Sequence, residues 1–541
     1  MTIKRVVLII LTILALFKIS ISLVESWNQP QIQSRLELYQ TNFLLHAAEW
    51  QDNSTETTTP QQSTQDSTTP LEALIGKKPF QTAEKQYKEA IESAQKTKSK
   101  ITAQLQELSS KPVAITPDVA PSDPQFAPIA DSPASSEREQ LQQSFAEVEQ
   151  LIYEFNLRLG IIQVQQGEIN SALQTWRGLS NQKTENSASS PEESSLLQTS
   201  QVLLGLWNEP ARLLPNAEEK IQKNLDGWFR YRALSHLYQL QQRSDALSSL
   251  ENKEQKIAQQ AVFKLALIGG IPGVGGVLGV ALLLFLLVQL LLQGRRSLLA
   301  TNAELPWETP WNWEIIWQVL IFGFFFIGQL LLPILFGLLG VNPVNYTVRA
   351  KAFFVLLSYL LMAAGGLSVL YFSIKPFLPL TQNWFRFKLF GNWIVWGIGG
   401  YLVAVPLVIL VSLINQQLWQ GQGGSNPILP LALEGQDKIA LLIFFVTASL
   451  AAPVFEEIIF RGFLLPSLTR YLPVWGAIAA SSLLFAIAHL SLSEVLPLAT
   501  LGAVLGVVYT RSRNLLAPML LHGLWNSGTL LSLFLLGSGS N

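Results

Sequence analysis

The chain has 541 residues, 49% hydrophobic and only 14% charged, with 37 basic residues against 38 acidic ones and no cysteine. The missing cysteine excludes disulfides, thiol nucleophiles and thiolate metal sites, so any metal needs histidine and carboxylate ligands. The near-neutral total hides two unlike parts: Glu25–Val262 carries 30 acidic and 21 basic residues, a net of −9, whereas Lys264 to the C-terminus carries only 8 and 13. The second part has the composition of a membrane protein. No basic stripe or nucleic-acid motif is present, so nucleic acid is not an expected partner.

Arg5 is followed by VVLIILTILALFKISISLV, apolar through Val24 except at Lys18. The run is long and no small-x-small cleavage site follows, which predicts an uncleaved signal anchor at 1–24. Residues 25–262 read as a soluble helical domain, with helical periodicity over Leu36–Trp50, 84–106, 140–178 and 216–257. Low-complexity linkers at 54–70 and 109–136 interrupt it and bury too little apolar surface to offset ordering. Within 155–257, Leu159–Trp176 and Ala233–Leu250 each read as helix, Gln-rich turn and helix, loosely like a tetratricopeptide repeat. Two ordinary helical hairpins account for them equally well.

From Gly269 onward, apolar spans are predicted at 270–292, 313–339, 352–373, 392–414, 438–455, 474–490, 495–510 and 515–536. The fold class is therefore all-α: a polytopic transmembrane helical bundle of about eight C-terminal spans, an N-terminal signal anchor and a helical soluble domain. Membrane helices fill 265–434, and the residues able to do chemistry sit in a core at 435–536. Lys4 and Arg5, Arg295 and Arg296, Lys375 with Arg386 and Lys388, Arg461 with Arg470, and Arg511 with Arg513 fall on alternate loops. Arg349, Lys351 and Lys438 fall on the other side. By the positive-inside rule the N-terminus is cytoplasmic, with the C-terminus and residues 25–262 across the membrane.

Charge is expensive in such surroundings, so Glu456, Glu457 and Arg461 in APVFEEIIFRGFLLPSL define a functional-site hypothesis. Their spacing lets Arg461 reach either carboxylate. One glutamate can then activate water while the other is held charged by the guanidinium. His489 could complete a water-activating pair with Glu456. His522 and Asn526, one helical turn apart, can point at one volume and donate to a developing oxyanion. A zinc site built from Glu456, His489 and His522 is the competing use of the same groups. Nothing matches HExxH, and residue types alone leave metal dependence open. The spans also pose a difficulty. They put Glu456 near one end of its helix and His489 near the opposite face, about 30 Å away across the bilayer core; a tilted or shortened helix has to reconcile the two.

The motifs EEIIFR (Glu456–Arg461), FAIAH (Phe485–His489) and HGLWN (His522–Asn526) closely resemble the EExxxR, FxxxH and HxxxN pattern of the CAAX protease and bacteriocin-processing (CPBP, or Abi) family of intramembrane proteases. That family includes the type II CAAX prenyl endopeptidases. With SNPILPLAL, FRGFLLPSL and SLLFAIAHL, the run looks like the cyanobacterial and plastid branch, which implies a plasma or thylakoid membrane. The resemblance implies an endopeptidase acting on a membrane-associated protein or peptide in the lipid bilayer. It further implies that Glu456 activates water with help from His489, that His522 and Asn526 stabilise the oxyanion, and that Glu457 and Arg461 orient them. The family is described both as zinc metalloendopeptidases and as metal-independent enzymes, and the metal-independent mechanism is the reading taken here. Residues 25–262 lie outside the resemblance and are read as a surface for a protein partner. A non-proteolytic membrane scaffold with a structural polar cluster is the alternative. A transporter gains little, because no inverted repeat of interrupted spans is evident.

Overall fold

In lipid, each backbone N–H and C=O must be satisfied within its own segment, so the apolar runs can only be helices. The computed structural model describes residues 2–28, 32–51, 70–110, 133–181, 191–343, 346–381, 383–419, 423–424 and 437–537, among which there is no strand. Apart from their ends, the linkers at 54–70 and 109–136 lie outside the described residues, as does SNPILPLAL at 425–433. The chain divides into two compact units: Met1–Leu36 with Ala266–Ser538, and Glu37–Leu265 with Gly539–Asn541.

The first unit begins with α1 (Ile3–Asn28) and its later helices belong to the membrane bundle. The second holds α2 (Ile32–Ala48) from Glu37 onward, α3 (Pro70–Ile75), α4 (Pro79–Ser110), α5 (Pro133–Gln165), α6 (Ile169–Asn181), α7 (Pro191–Trp207), α8 (Ala217–Asn224) and α9 (Gly227–Leu240). Its core is built on Trp176, Trp228, Phe229 and Tyr87. Gly160 is required there, because a Cβ would lie 2.3 Å from the Trp176 ring. Gly167 (φ 83°) turns α5 into α6, and Gln242 (φ 56°) turns α9 into α10 (Ser244–Gln293). α10 spans 50 residues and contains Pro272.

The remaining helices of the membrane unit are α11 (Trp313–Leu338), α12 (Val348–Ile374), α13 (Trp393–Trp419), α14 (Lys438–Leu468), α15 (Val474–Ile487), α16 (Val495–Ser512) and α17 (Leu516–Gly537). Eight described helices are long and apolar enough to cross a membrane, and α15 is not among them. At 14 residues it is about 21 Å long, well under a bilayer core.

Among the boundaries that differ from the hydropathy reading, two bear on the site. α14 continues through the EEIIFR motif to Leu468 instead of stopping at 455, because charge ends an apolar run without ending a helix. Glu456 is thus 18 residues past Lys438 (456 − 438), about 27 Å along the axis, with 12 more residues still to come. α15 ends at Ile487, so His489 lies just beyond a half-length helix. The Phe485 ring lies 4.9 Å from the His489 ring and 5.7 Å from the His522 ring, and His522 lies 3.9 Å from Glu456, which removes the conflict of about 30 Å. Arg461, counted among the loop charges, is instead fully buried in α14.

Proline shapes α11 and α14. Three stretches wound more widely than an α-helix, Val319–Leu331, Thr447–Ala451 and Ile458–Leu464, each come just before or just around a proline's reach: Pro333, Pro453 and Pro466. A proline ring clashes with the carbonyl four residues back and offers no N–H to it, so the turn widens there.

Close packing of α10 on α13 depends on Gly279, where a Cβ would stand 1.9 Å from the Leu402 carbonyl oxygen. Gly276, one turn earlier, has nothing nearer than Val405 Cγ1 at 3.9 Å. Gly279→Val is expected to lower the unfolding temperature of the detergent-solubilised protein by an amount equivalent to at least about 1–3 kcal/mol. Gly276→Val should leave it nearly unchanged; equal effects of the two would contradict this packing.

Candidate active site

α14 delivers the two glutamates on a short α-helical stretch, Ala452–Glu457, between two wide turns. Glu457 and Arg461, i and i+4, are both fully buried, with Arg461 Nη1 donating to Glu457 Oε1 at 2.8 Å. The guanidinium is held twice more. Nη2 donates to the Gly502 carbonyl of α16 at 3.1 Å, and the cation lies 4.5 Å from the centre of the Phe485 ring. A residue larger than glycine at 502 would bring its Cβ to 3.2 Å from Nη2 and 3.0 Å from Ser482 Cβ.

The same carboxylate oxygen of Glu457 takes a second bond, from His522 Nδ1 on α17 at 2.9 Å. This fixes the ring, so that Nε2 faces the neighbouring glutamate, 3.9 Å from Glu456 Oε2. Glu456 Oε1 accepts from the Tyr359 hydroxyl of α12 at 3.0 Å, while its Oε2 is buried without a hydrogen-bond partner. The pair is divided by its partners: Glu457 Oε1 is clamped by a cation and an imidazole, Glu456 Oε1 is steadied by a phenol, and the Oε2 atom of each is buried without a partner. A separation of 3.9 Å is one that a water molecule or a substrate oxygen can bridge.

Of the six residues singled out from sequence, Glu456, Glu457, Arg461 and His522 converge directly. Asn526, one turn beyond His522, donates from Nδ2 to the Ala448 carbonyl at 2.7 Å and so ties α17 to the wide turn ahead of the glutamates. One N–H of its amide stays uncommitted by that bond. His489 stands apart. Its Nδ1 bonds the Phe485 carbonyl at 2.9 Å, and it makes no hydrogen bond to Glu456. The Phe485 ring connects the two histidines, with its centre 4.9 Å from the His489 ring and 5.7 Å from that of His522. Phe485, the first residue of FAIAH, is therefore the wall that Arg461, His489 and His522 share.

Among the described residues, no group of three or more His, Asp or Glu side chains is arranged to hold a metal. Each histidine commits its Nδ1, His522 to Glu457 and His489 to a backbone carbonyl, and Glu456, His489 and His522 are not gathered into such a group. No step below is routed through a metal.

Tyr359 escaped the sequence reading. Its only signal there is a phenol inside an otherwise apolar run, FFVLLSYLLM, and buried tyrosine hydroxyls generally have a partner. Gly366 lets Phe455 approach, since a Cβ there would lie 3.0 Å from that ring, and Phe455 in turn meets the Tyr359 ring edge-on at 6.0 Å.

Residues 438–528 match the family model described as Rce1-like: Type II CAAX prenyl endopeptidase Rce1-like. That segment is Rce1-like. It contains every residue of the carboxylate cluster except Tyr359. Two curated proteins are similar over wider stretches. One, named "Putative membrane peptidase YdiL", from Bacillus subtilis (strain 168), is 24% identical over 216 residues, 40% of this chain and 86% of that protein. The other, named "Membrane-embedded CAAX protease MroQ", from Staphylococcus aureus (strain USA300), is 28% identical over 139 residues, 25% of this chain and 55% of that protein. No solved structure matches the chain.

Outside the spans, Asp437 caps α14 by accepting from the N–H groups of Ile439 and Ala440. The Arg349 side chain, donating to it at 2.8 Å, is the main reason its carboxyl sits below the usual aspartate range.

Removing one member of a buried ion pair strands the other. Arg461→Met is therefore expected to destabilise the membrane unit by about 3–5 kcal/mol, read as loss of the folded fraction on heating in detergent. Adding Glu457→Leu should recover part of that loss; a double variant as unstable as the sum of the two singles would show that the pair is not coupled.

Proposed function

We propose that the protein is an intramembrane endopeptidase in which Glu456 activates water for attack on a peptide bond of a membrane-associated protein. The observation that carries this reading is the 3.9 Å approach of His522 Nε2 to Glu456 Oε2, a buried carboxylate oxygen with no partner. The similarity to Rce1-like proteases and to membrane peptidases supports the reaction class.

The chemistry follows from the hydrogen bonds. A water seated between Glu456 Oε2 and His522 Nε2 gives its proton to the carboxylate as its oxygen adds to the scissile carbonyl carbon. The carbonyl π electrons move onto oxygen, giving an oxyanion. His522, with Glu457 behind its Nδ1, and the remaining N–H of Asn526 are the donors nearest to receive that charge. Glu456 then passes its proton to the leaving amine as the C–N bond breaks. Tyr359 holds Glu456 Oε1 so that Oε2 keeps its aim. His489, packed on the Phe485 ring, assists the water activation from that side.

The unit at Glu37–Leu265 is the proposed site of substrate or partner recruitment, a role its fold alone does not specify.

The test compares new protein N-termini in membranes of cells carrying the wild type or Glu456→Gln at matched abundance. We expect a set of cleavage products that the variant lacks, and purified variant turnover reduced by about 10²–10⁴-fold with unfolding temperature unchanged. Tyr359→Phe should reduce turnover less, by about 10-fold. Assays with and without chelator then decide metal dependence. Identical N-terminal profiles, together with a Glu456→Gln protein that accumulates poorly, would favour a structural cluster in a membrane scaffold.

A further inference from the structure

Sequence and length make α1 an anchor, but its contacts within the membrane unit point to a second task. They converge on the turn around His489, the one part of the site not tied to the carboxylate cluster. On the near side of that histidine, Ala488 packs against the patch formed by Leu11 and Ala15 of α1 with Ile321 and Phe325 of α11. On the far side, Ser26 near the C-terminal end of α1 is buried. Its hydroxyl donates to the Gly423 carbonyl at 2.6 Å and accepts from the Leu492 N–H at 3.0 Å.

Gly423 is the hub of this clasp. Its carbonyl also accepts from the Ser493 N–H at 3.1 Å and the Ser491 hydroxyl at 3.3 Å. The Ser493 hydroxyl donates to the Gly424 carbonyl at 2.6 Å, and Asn415 Nδ2 donates to the Ser493 carbonyl at 2.6 Å. Gly423 has φ +103°, and a Cβ there would meet Ser493 Cβ at 2.8 Å, so only glycine fits. Trp27, next to Ser26, meets Trp419 edge-on at 5.4 Å.

The turn needs such help. α15 ends at Ile487, and Leu490 adopts a left-handed conformation, φ 57°, that a γ-branched residue holds only when its surroundings impose it. α1 is itself fixed at its other end, where Lys4 and Arg5 pair with Glu314 and Trp317 Nε1 donates to Thr12 Oγ1 at 2.7 Å. It is therefore a braced strut, not a free tether.

We propose that α1 is a positioning element of the site, and that Ser26 clamps the 490–493 turn and so sets the aim of His489. Ser26 is a positioning residue, acting through the turn. It lies outside the Rce1-like segment at 438–528. Only the catalytic readout of this inference rests on the peptidase reading.

The test uses the full-length protein in detergent with ¹³C-labelled histidine. The chain has only four histidines, and His489→Gln assigns the relevant ring signal. Ser26→Ala should shift or broaden the His489 signal, leave that of His522 in place, and lower kcat about 10- to 100-fold with KM unchanged. Ser26→Thr, which keeps the hydroxyl, should retain most activity. An unmoved His489 signal with wild-type kcat in Ser26→Ala overturns the proposal. A shifted signal in a protein whose wild type cleaves nothing leaves the clamp standing and counts against the peptidase reading alone. Should Ser26→Ala fail to fold, the pair Ser26→Cys and Leu492→Cys replaces it in a chain with no other cysteine. Activity and the His489 signal restored by oxidation and lost on reduction support the clamp, and indifference to the redox state overturns it.

Discussion

A guanidinium taken out of water without compensation is among the costliest things a protein can bury, and Arg461 is buried completely. Everything around the site follows from satisfying it. Glu457 supplies the opposite charge one turn away on the same helix. The Gly502 carbonyl supplies an acceptor because glycine lets α16 come close, and the Phe485 face supplies its negative π surface. Because three helices and one aromatic ring are recruited by one cation, the arrangement also fixes where α14, α15 and α16 sit relative to each other. Glu457, once committed to Arg461, still has capacity on the same oxygen for His522 Nδ1, and that bond brings in α17. A structural ion pair is thereby the scaffold on which a reactive pair, Glu456 and His522, is held at 3.9 Å.

The second constraint is backbone geometry. Pro453 precedes the glutamates by only a few residues, and Pro466 follows Arg461 at a similar distance. The wide turns they impose set the rotation of the stretch between them. Asn526 closes on the Ala448 carbonyl inside the first of these turns, and Gly523 allows the approach, since a Cβ there would lie 2.8 Å from the Ser449 carbonyl oxygen. The same feature that disturbs the helix thus gives α17 something to grip. Half-length α15 serves the complementary purpose of placing His489 against the Phe485 ring, on whose other side His522 packs.

How much of this was legible beforehand varies residue by residue. The all-α class and the existence of the long spans were readable, since a run of about 20 apolar residues has only one way to satisfy its backbone in lipid. Glu456, Glu457 and Arg461 stood out because ionisable residues in such runs are rare, and their i, i+4 spacing already implied the ion pair. His522 stood out likewise, but its bond to Glu457, and hence the direction its other nitrogen faces, did not. Tyr359 was missed because a single phenol in an apolar run carries no pattern; its meaning lies in a contact 97 residues away along the chain. The helix end at 455 was misjudged because hydropathy reads where charge begins, and a paired charge does not end a helix; the end at 490 was misjudged because an apolar run can outlast its helix.

Sequence by itself therefore determined what kinds of group are present, which segments are helical and which residues share a face, because propensity, periodicity and local spacing act within a few turns. Tertiary structure alone decided that Arg461 and His522 bond Glu457 while Tyr359 bonds Glu456, that Phe485 lies between His489 and His522, and that the N-terminal helix reaches the His489 turn. Those facts depend on the angles and depths at which helices distant in the chain cross. The crossings are settled by packing and by the need to pair the buried charges of Glu457 and Arg461.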